Sequence, residues 1–282
     1  MSSALGIDIG GTSVKLAMLR DGHVEWTGQS AFYSRPTTQQ LVDALNDAAR
    51  GRVGATDLAG LCVPGRYDAA ARMITLSVNV PGLMNVKLDE LIARAFGDTV
   101  ERIEIINDAV AAAYDLYALR RTRGRLLSIA LGTGVGMAVL DDGTPLFIEG
   151  ASPGHIGQVD VSIAGDEVIG PDGGAGSLEG YIGVPALVQR YGSVENFLER
   201  ATVNDGSLRA LVRAVRICHA IYRPQHVALV GGVGTRMKRL IDDIKPAADT
   251  HLTSVADRTW TLTTGEHDFH AAAGAARLAR RG

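Results

Sequence analysis

What this sequence has little of narrows it first. Its 282 residues include two cysteines, nine prolines and 5% aromatics. Cys62 and Cys218 lie far apart, each among apolar neighbours, so they read as buried free thiols rather than a disulfide or a metal pair. No apolar run approaches the ~20 residues that cross a bilayer. Neither sign of charge dominates: 28 Lys and Arg against 31 Asp and Glu leave a net charge of -3, with no sequence-wide pull toward nucleic acid or an anionic membrane. Met1-Ser2-Ser3-Ala4 leads straight into an apolar stretch, leaving no room for a basic-plus-apolar leader. The expectation is a soluble, cytoplasmic chain, long enough to bury a large core and to form two lobes.

Glycine is plentiful, with 34 residues placed at recurring points. Leu5 to Leu19 reads as an apolar run, a tight Gly10-Gly11-Thr12 turn and a second apolar run, which is a β-hairpin whose turn amides stay open to a ligand. Asp8 does not fit that core. A carboxylate among Leu and Ile must be hydrogen-bonded, paired or holding a cation, and open amides beside it suit a nucleotide phosphate with its magnesium. A turn capped by Asp8 is the plainer alternative. The design recurs half a chain later, where Leu126 to Leu131 leads through Gly132-Thr133-Gly134 to Met137-Ala138-Val139-Leu140. Two such hairpins, one per lobe, can hold a polyphosphate between two sets of backbone amides.

The intervening chain alternates strands and helices, which implies parallel crossovers. His23 to Ser30 predicts a third strand, 37–51 a helix capped by Thr37 or Thr38, and Leu58 to Cys62 a buried strand ended at Pro64-Gly65. Asn79 precedes a rigid Pro81-Gly82 and either makes an ordinary turn or offers its amide to a ligand. Leu88 to Phe96 predicts a helix ended by Gly97. Residues 103–114 run from a strand directly into an Ala-rich helix, with Asn107 and Asp108 at the junction. Both are favoured helix caps, yet a carboxylate at the end of a parallel strand also faces the usual ligand crevice, where a general base would sit. Arg120 to Gly124 reads as a solvated connector between lobes. From Gly150 to Gly183 a glycine-dense segment with apolar anchors reads as a long functional loop, followed by a helix from Val184 to Tyr191 and an amphipathic helix from Ser207 to Tyr222. His219 on the latter reads as a structural or surface histidine rather than a ligand. His226 to Met237 is a strand, a glycine turn and a helix start, and His270 to Arg280 is an Ala-rich helix suited to tight packing.

These elements in this order resemble the ROK family of sugar kinases and repressors, within the actin-like ATPase superfamily. The resemblance is carried by Asp8-Ile9-Gly10-Gly11-Thr12, Val63-Pro64-Gly65, Asn79-Val80-Pro81-Gly82, Asn107-Asp108-Ala109, Leu131 to Gly136 and Val230-Gly231-Gly232-Val233. It implies an α/β, two-lobed actin-like (ribonuclease H-like) fold with a central ligand cleft. The expected lobes are 1–118 and 119–268, with a terminal helix in 269–282 returning to the first. The implied activity is ATP-dependent phosphorylation of a hexose or related sugar, by a homodimer. Asp8 would hold Mg²⁺ through water; Gly10, Gly11, Thr12, Lys15, Gly132, Thr133 and Gly134 would grip ATP, and Gly231 with Gly232 would border the adenosine. Asp108 would be the general base, with Gly65, Asn79, Asn107, His155, Gln158 and Glu179 around the sugar.

The departures are specific. Family members commonly carry Glu-x-Gly-His and then a cysteine cluster holding a structural zinc. Here Gly154-His155-Ile156-Gly157-Gln158 corresponds to the first, and Gly170 to Glu179 contains no cysteine, so no such zinc is expected. His155 then stands at a sugar-binding Glu and Gln158 at the zinc histidine, which predicts a changed sugar preference; a shift of a few residues would instead set His155 on the family's His, with the zinc still lost. A non-catalytic sugar or nucleotide sensor of the same fold is the alternative function. A DNA-binding repressor is disfavoured, because only Met1 to Ala4 precede the first hairpin, where such repressors carry a helix-turn-helix.

Overall fold

The computed structural model describes residues 3–77, 79–148 and 153–281. The chain divides into two compact units, Met1–Asp115 with Phe269–Gly282, and Leu116–Asp268. The division falls inside a helix and not in a loop.

In the first unit, β1 (Ser3–Ile9), β2 (Val14–Arg20) and β3 (His23–Gln29) form a meander. After α1 (Thr38–Ala49), β4 (Thr56–Cys62) returns parallel to β1; a small β5–β6 ribbon (Arg66–Asp68, Met73–Leu76) and α2 (Leu88–Phe96) follow. β7 (Val100–Ile106) completes the sheet order β3-β2-β1-β4-β7 and runs into α3 (Asp108–Arg120). Strand alternation sends Leu5, Ile7, Ile9 and Leu16 to one face, where Leu41, Leu45, Leu91 and Ile92 of α1 and α2 bury them. The expected capping is present: the Thr37 hydroxyl accepts from the Gln40 amide, and the Gln40 side chain answers to the Thr37 amide.

The opposite face takes the chain's last helix, α10 (His270–Ala279). Gly6 and Gly60 stand side by side in the parallel ladder, and a Cβ on either would lie 1.7 Å from the Ala272 carbonyl oxygen and 2.2 Å from that of Ala275 respectively. Glycine is therefore required there by closeness of backbone to backbone. α10 also presses on α3, where the buried Asp115 carboxylate receives His270 and Arg277 at 2.7 Å each.

The second unit repeats the plan. β8 (Arg125–Leu131), β9 (Val135–Asp141) and β10 (Thr144–Pro145) are followed by α4 (Leu178–Ile182), α5 (Val184–Tyr191), α6 (Val194–Arg200) and α7 (Gly206–Tyr222). Then come β11 (His226–Val230), α8 (Gly231–Gly234), α9 (Lys238–Thr250) and β12 (Thr261–Thr264). The sheet order is β10-β9-β8-β11-β12. Leu127, Ile129, Met137 and Val139 pack with Leu211, Val215, Leu240 and Trp260 in a second core.

Some expectations need correction. Arg120 is not part of a solvated connector: it ends α3, reaches Glu266 and Thr263, and donates to the Thr264 carbonyl. The glycine-dense segment is not all loop, since its end forms α4, and Gly150 lies outside the described residues. Gly231 and Gly232 open α8 itself instead of making a turn before a helix. Cys62 and Cys218 are buried and free, as expected, and of the two readings of His219 the structural one holds, since it is buried against the Trp260 ring.

Candidate active site

The strand register of the first unit gathers its polar residues. Lys15 on β2, Asp8 on β1 and Cys62 on β4 stand opposite one another across the ladders, with Cys62 opposite Ile106 on β7. Directly opposed residues share a face, so this row leads to Asn107 and Asp108, just beyond Ile106. Asp8 is half-buried, accepts no hydrogen bond from the described residues and has no ion pair within contact distance. Burial raises its pKa to about 7; Lys15 opposes this, and the Asp108 charge adds to it. Among the described residues Asp8 thus has no hydrogen-bond or ion-pair partner, only the more distant Lys15 charge, which leaves its oxygens to solvent or a cation.

The turn beyond Asp8 is pinned by the Gly10 amide donating to the Ser13 carbonyl at 3.0 Å and by the Tyr33 amide donating to that of Thr12 at 2.9 Å. The Tyr33 hydroxyl donates to the Gly10 carbonyl at 2.7 Å. The amides of Gly11 and Thr12 have no acceptor among the described residues. Tyr33 escaped sequence reading because a lone aromatic in a loop carries no periodic signal. Its phenol pKa is raised by burial and by the nearby Asp8 charge.

Asn107 does cap α3: its Oδ1 accepts from the Val110 amide at 3.0 Å. Asp108 Oδ1 accepts from Ala109 at 2.8 Å. Water reaches Asp108, but dense surrounding protein raises its pKa, against the pull of the amides of Ala109 and Asp108. A carboxylate exposed to a reactant and more basic than usual is suited to accepting a proton. Asn79 is exposed at the surface, and Val78 beside it lies outside the described residues. Gly65 has φ +114°, and a Cβ there would lie 2.1 Å from the Leu76 carbonyl oxygen, so the Pro64-Gly65 turn abuts the strand that leads toward Asn79.

In the second unit, Gly132 donates to the Gly134 carbonyl at 3.0 Å, and the amides of Thr133 and Gly134 have no acceptor among the described residues. Gly10, Gly132 and Gly134 all keep φ outside the left-handed region, so the turns do not need glycine for backbone conformation. Gly134 is needed for space: a Cβ would lie 2.9 Å from Glu179 Oε2. Gly231, at φ +79°, lies over the end of β8, where a Cβ would approach the Leu131 carbonyl oxygen to 2.6 Å. His155 and Gln158 are exposed, and Gln158 reaches Asp172 at 3.4 Å. Glu179 is half-buried, with its pKa raised by burial. Across the segment without cysteines, backbone bonds close the chain on itself: Val161 to Gly176, Gly170 to Gly174 and Gly176 to Val168, at 2.8 to 2.9 Å.

A profile of the ROK family matches residues 4–282. A glucokinase of Aeropyrum pernix is 26% identical over 293 residues, covering 91% of this chain and 89% of the relative. An N-acetylmannosamine kinase of Vibrio cholerae is 28% identical over 166 residues, covering 57% and 55%. Among solved structures, a ROK family glucokinase from Streptomyces griseus, in complex with glucose and AMPPNP, superposes with a TM-score of 0.76 at 20% identity and full coverage of both chains. That likeness bears out the α/β actin-like ATPase fold expected from the sequence. With the profile matching nearly every residue, the chain belongs to the ROK family.

Proposed function

We propose that this protein is a carbohydrate kinase that transfers the γ-phosphoryl group of ATP to a sugar hydroxyl. The carrying observation is that turn amides with no acceptor among the described residues recur in both units, while the first unit adds the carboxylates Asp8 and Asp108. In this reading Gly10, Gly11, Thr12 and Lys15, with Gly132, Thr133 and Gly134, bind the phosphates, and Gly231 and Gly232 border the adenosine. The named kinases among the relatives support it and do not favour a non-catalytic sensor; they differ in the sugar they name, so the sugar is left open.

Asp8 fits a divalent cation, because its unpartnered carboxylate has a pKa near 7 and a like charge beside it. Mg²⁺ there would neutralise phosphate charge. Asp108 accepts the proton of the attacking hydroxyl at the oxygen not bonded to Ala109, while the amide side chains of Asn79 and Asn107 and the carboxyl of Glu179 orient other hydroxyls. His155 and Gln158 bear on sugar preference. Most of the acceleration is then positioning and charge neutralisation, with the base contributing about 10²–10⁴. A coupled assay over glucose, N-acetylglucosamine, N-acetylmannosamine and related sugars with ATP and Mg²⁺ tests this. Turnover on at least one sugar, with kcat down by about 10²–10⁴ in Asp108→Asn, is expected. Absence of turnover on all of them, or an unimpaired Asp108→Asn, refutes it.

A further inference from the structure

Glu179 stands where two parts of the second unit meet. Its Oε2 accepts from the Val135 amide at 2.9 Å, where the Gly132–Gly134 turn rejoins β9. The other end of that turn is fastened to the same corner of the chain, because the Val184 amide donates to the Gly132 carbonyl at 2.9 Å. Gly183 lies between these attachments, and a Cβ there would come within 3.1 Å of the Thr133 carbonyl oxygen. The α4–α5 corner thus holds both ends of the turn.

The same carboxyl faces the 155–158 segment. A Cβ on Gly157 would lie 3.1 Å from Glu179 Oε2 and 2.6 Å from the Val135 carbonyl oxygen. Gly134 and Gly157 wall the carboxyl in without side chains, Gly183 lies against the Cγ of the same residue, and Oε1 accepts no hydrogen bond from the described residues. A purely structural brace for one amide would not need an ionisable group. Here burial raises the pKa and the Asp172 charge adds to the cost, with only the Val135 amide in opposition.

We propose that Glu179 is a positioning residue for the phosphate turn, coupling it to the sugar. Oε2 sets the position of the turn, and Oε1 is left for a substrate hydroxyl. A hydroxyl on Oε1 fixes the carboxyl and, through it, the Val135 bond, so that sugar tightens nucleotide binding and nucleotide tightens sugar binding by the same factor. This rests on the reading of the turn as nucleotide-binding.

The test uses ¹⁵N-labelled full-length protein as wild type, Glu179→Gln and Glu179→Ala. Amide exchange at 133–135 and binding of AMPPNP are measured with and without the sugar that turns over fastest. Gln keeps an oxygen for the Val135 amide but presents the sugar with an amide, so nucleotide affinity should stay within about twofold while the sugar KM rises about tenfold. Ala should speed exchange at 133–135, weaken AMPPNP about tenfold and abolish the effect of sugar on it. Wild-type exchange and AMPPNP affinity in the Ala variant would overturn the proposal alone. A wild type that binds no AMPPNP would overturn both the proposal and the function it rests on.

Discussion

The two Gly-turn hairpins are built to one plan and differ where it matters. β1 and β8 share a burial pattern residue for residue, and β2 and β9 nearly so. The cross-ladder pair second from the turn is Asp8 with Lys15 in the first unit and Ala130 with Gly136 in the second. Further along, Gly6 beside Gly60 is answered by Ser128 beside Ala228. The brace differs too: Tyr33 donates to a turn carbonyl in one, and Glu179 accepts from an amide at the end of the turn in the other. The first hairpin has taken on charge and a close-packed helix, while the second has kept small, neutral positions. One sheet order thus carries a charged pair beside one turn and small neutral residues beside the other.

Removing the charge that separates the hairpins should have the largest effect. Asp8→Asn is expected to lower kcat by about 10²–10³, a loss typical of removing one preorganised electrostatic contact. The pH dependence follows from the raised pKa of Asp8, about 7 in the folded protein. Folding holds a proton there that the unfolded chain releases near pH 4, so this group's contribution to stability declines as pH rises from about 4 to 7 and is then level. A bound cation offsets that decline only when Asp8 is ionised. Mg²⁺ should therefore raise the melting temperature of the wild type at pH 8 and not at pH 5, by calorimetry, and do neither in Asp8→Asn. A Mg²⁺ shift of equal size at both pH values would remove Asp8 from the metal site.

The helix under the first sheet gives the next effect. Gly60→Ala forces a methyl against the Ala275 backbone and should cost about 1–3 kcal/mol in urea unfolding, whereas Ala228→Gly, its counterpart, should cost about 1 kcal/mol or less. Equal losses would mean that α10 can retreat from the sheet without penalty.

The hairpins, the Asn107-Asp108 junction and the crossover order were legible because each is a local pattern: apolar alternation, glycine at a turn, a polar pair where a strand becomes a helix. The seat of α10 was only half legible. Its small residues announced tight packing, and glycine inside a strand is the signal for a close backbone approach, but Gly6 and Gly60 could be matched to Ala272 and Ala275 only in three dimensions. α4 spans five residues, too short for helical periodicity to emerge from its glycines. Arg120 belongs to a run of arginines that reads as solvated, and its contacts with β12 lie more than 140 residues away. The Glu179–Val135 bond joins residues 44 apart through one side chain, which leaves no trace in spacing.

The smallest effect tests the braces against each other. Tyr33→Phe deletes a single hydroxyl whose bond to the Gly10 carbonyl is 2.7 Å, and the ring stays to fill its place. A neutral hydrogen bond of this kind is worth about 0.5–1.5 kcal/mol, so the KM for ATP should rise roughly two- to tenfold with little change in kcat or in the KM for sugar. The contrast with Glu179 is one of kind, since the tyrosine hydroxyl bonds to the turn while the glutamate carboxyl also faces Gly157. Steady-state kinetics with each substrate varied separates them: a Tyr33→Phe protein whose sugar KM moved as far as its ATP KM would show that the first turn, too, is coupled to the sugar, and the asymmetry between the hairpins would lie in charge alone.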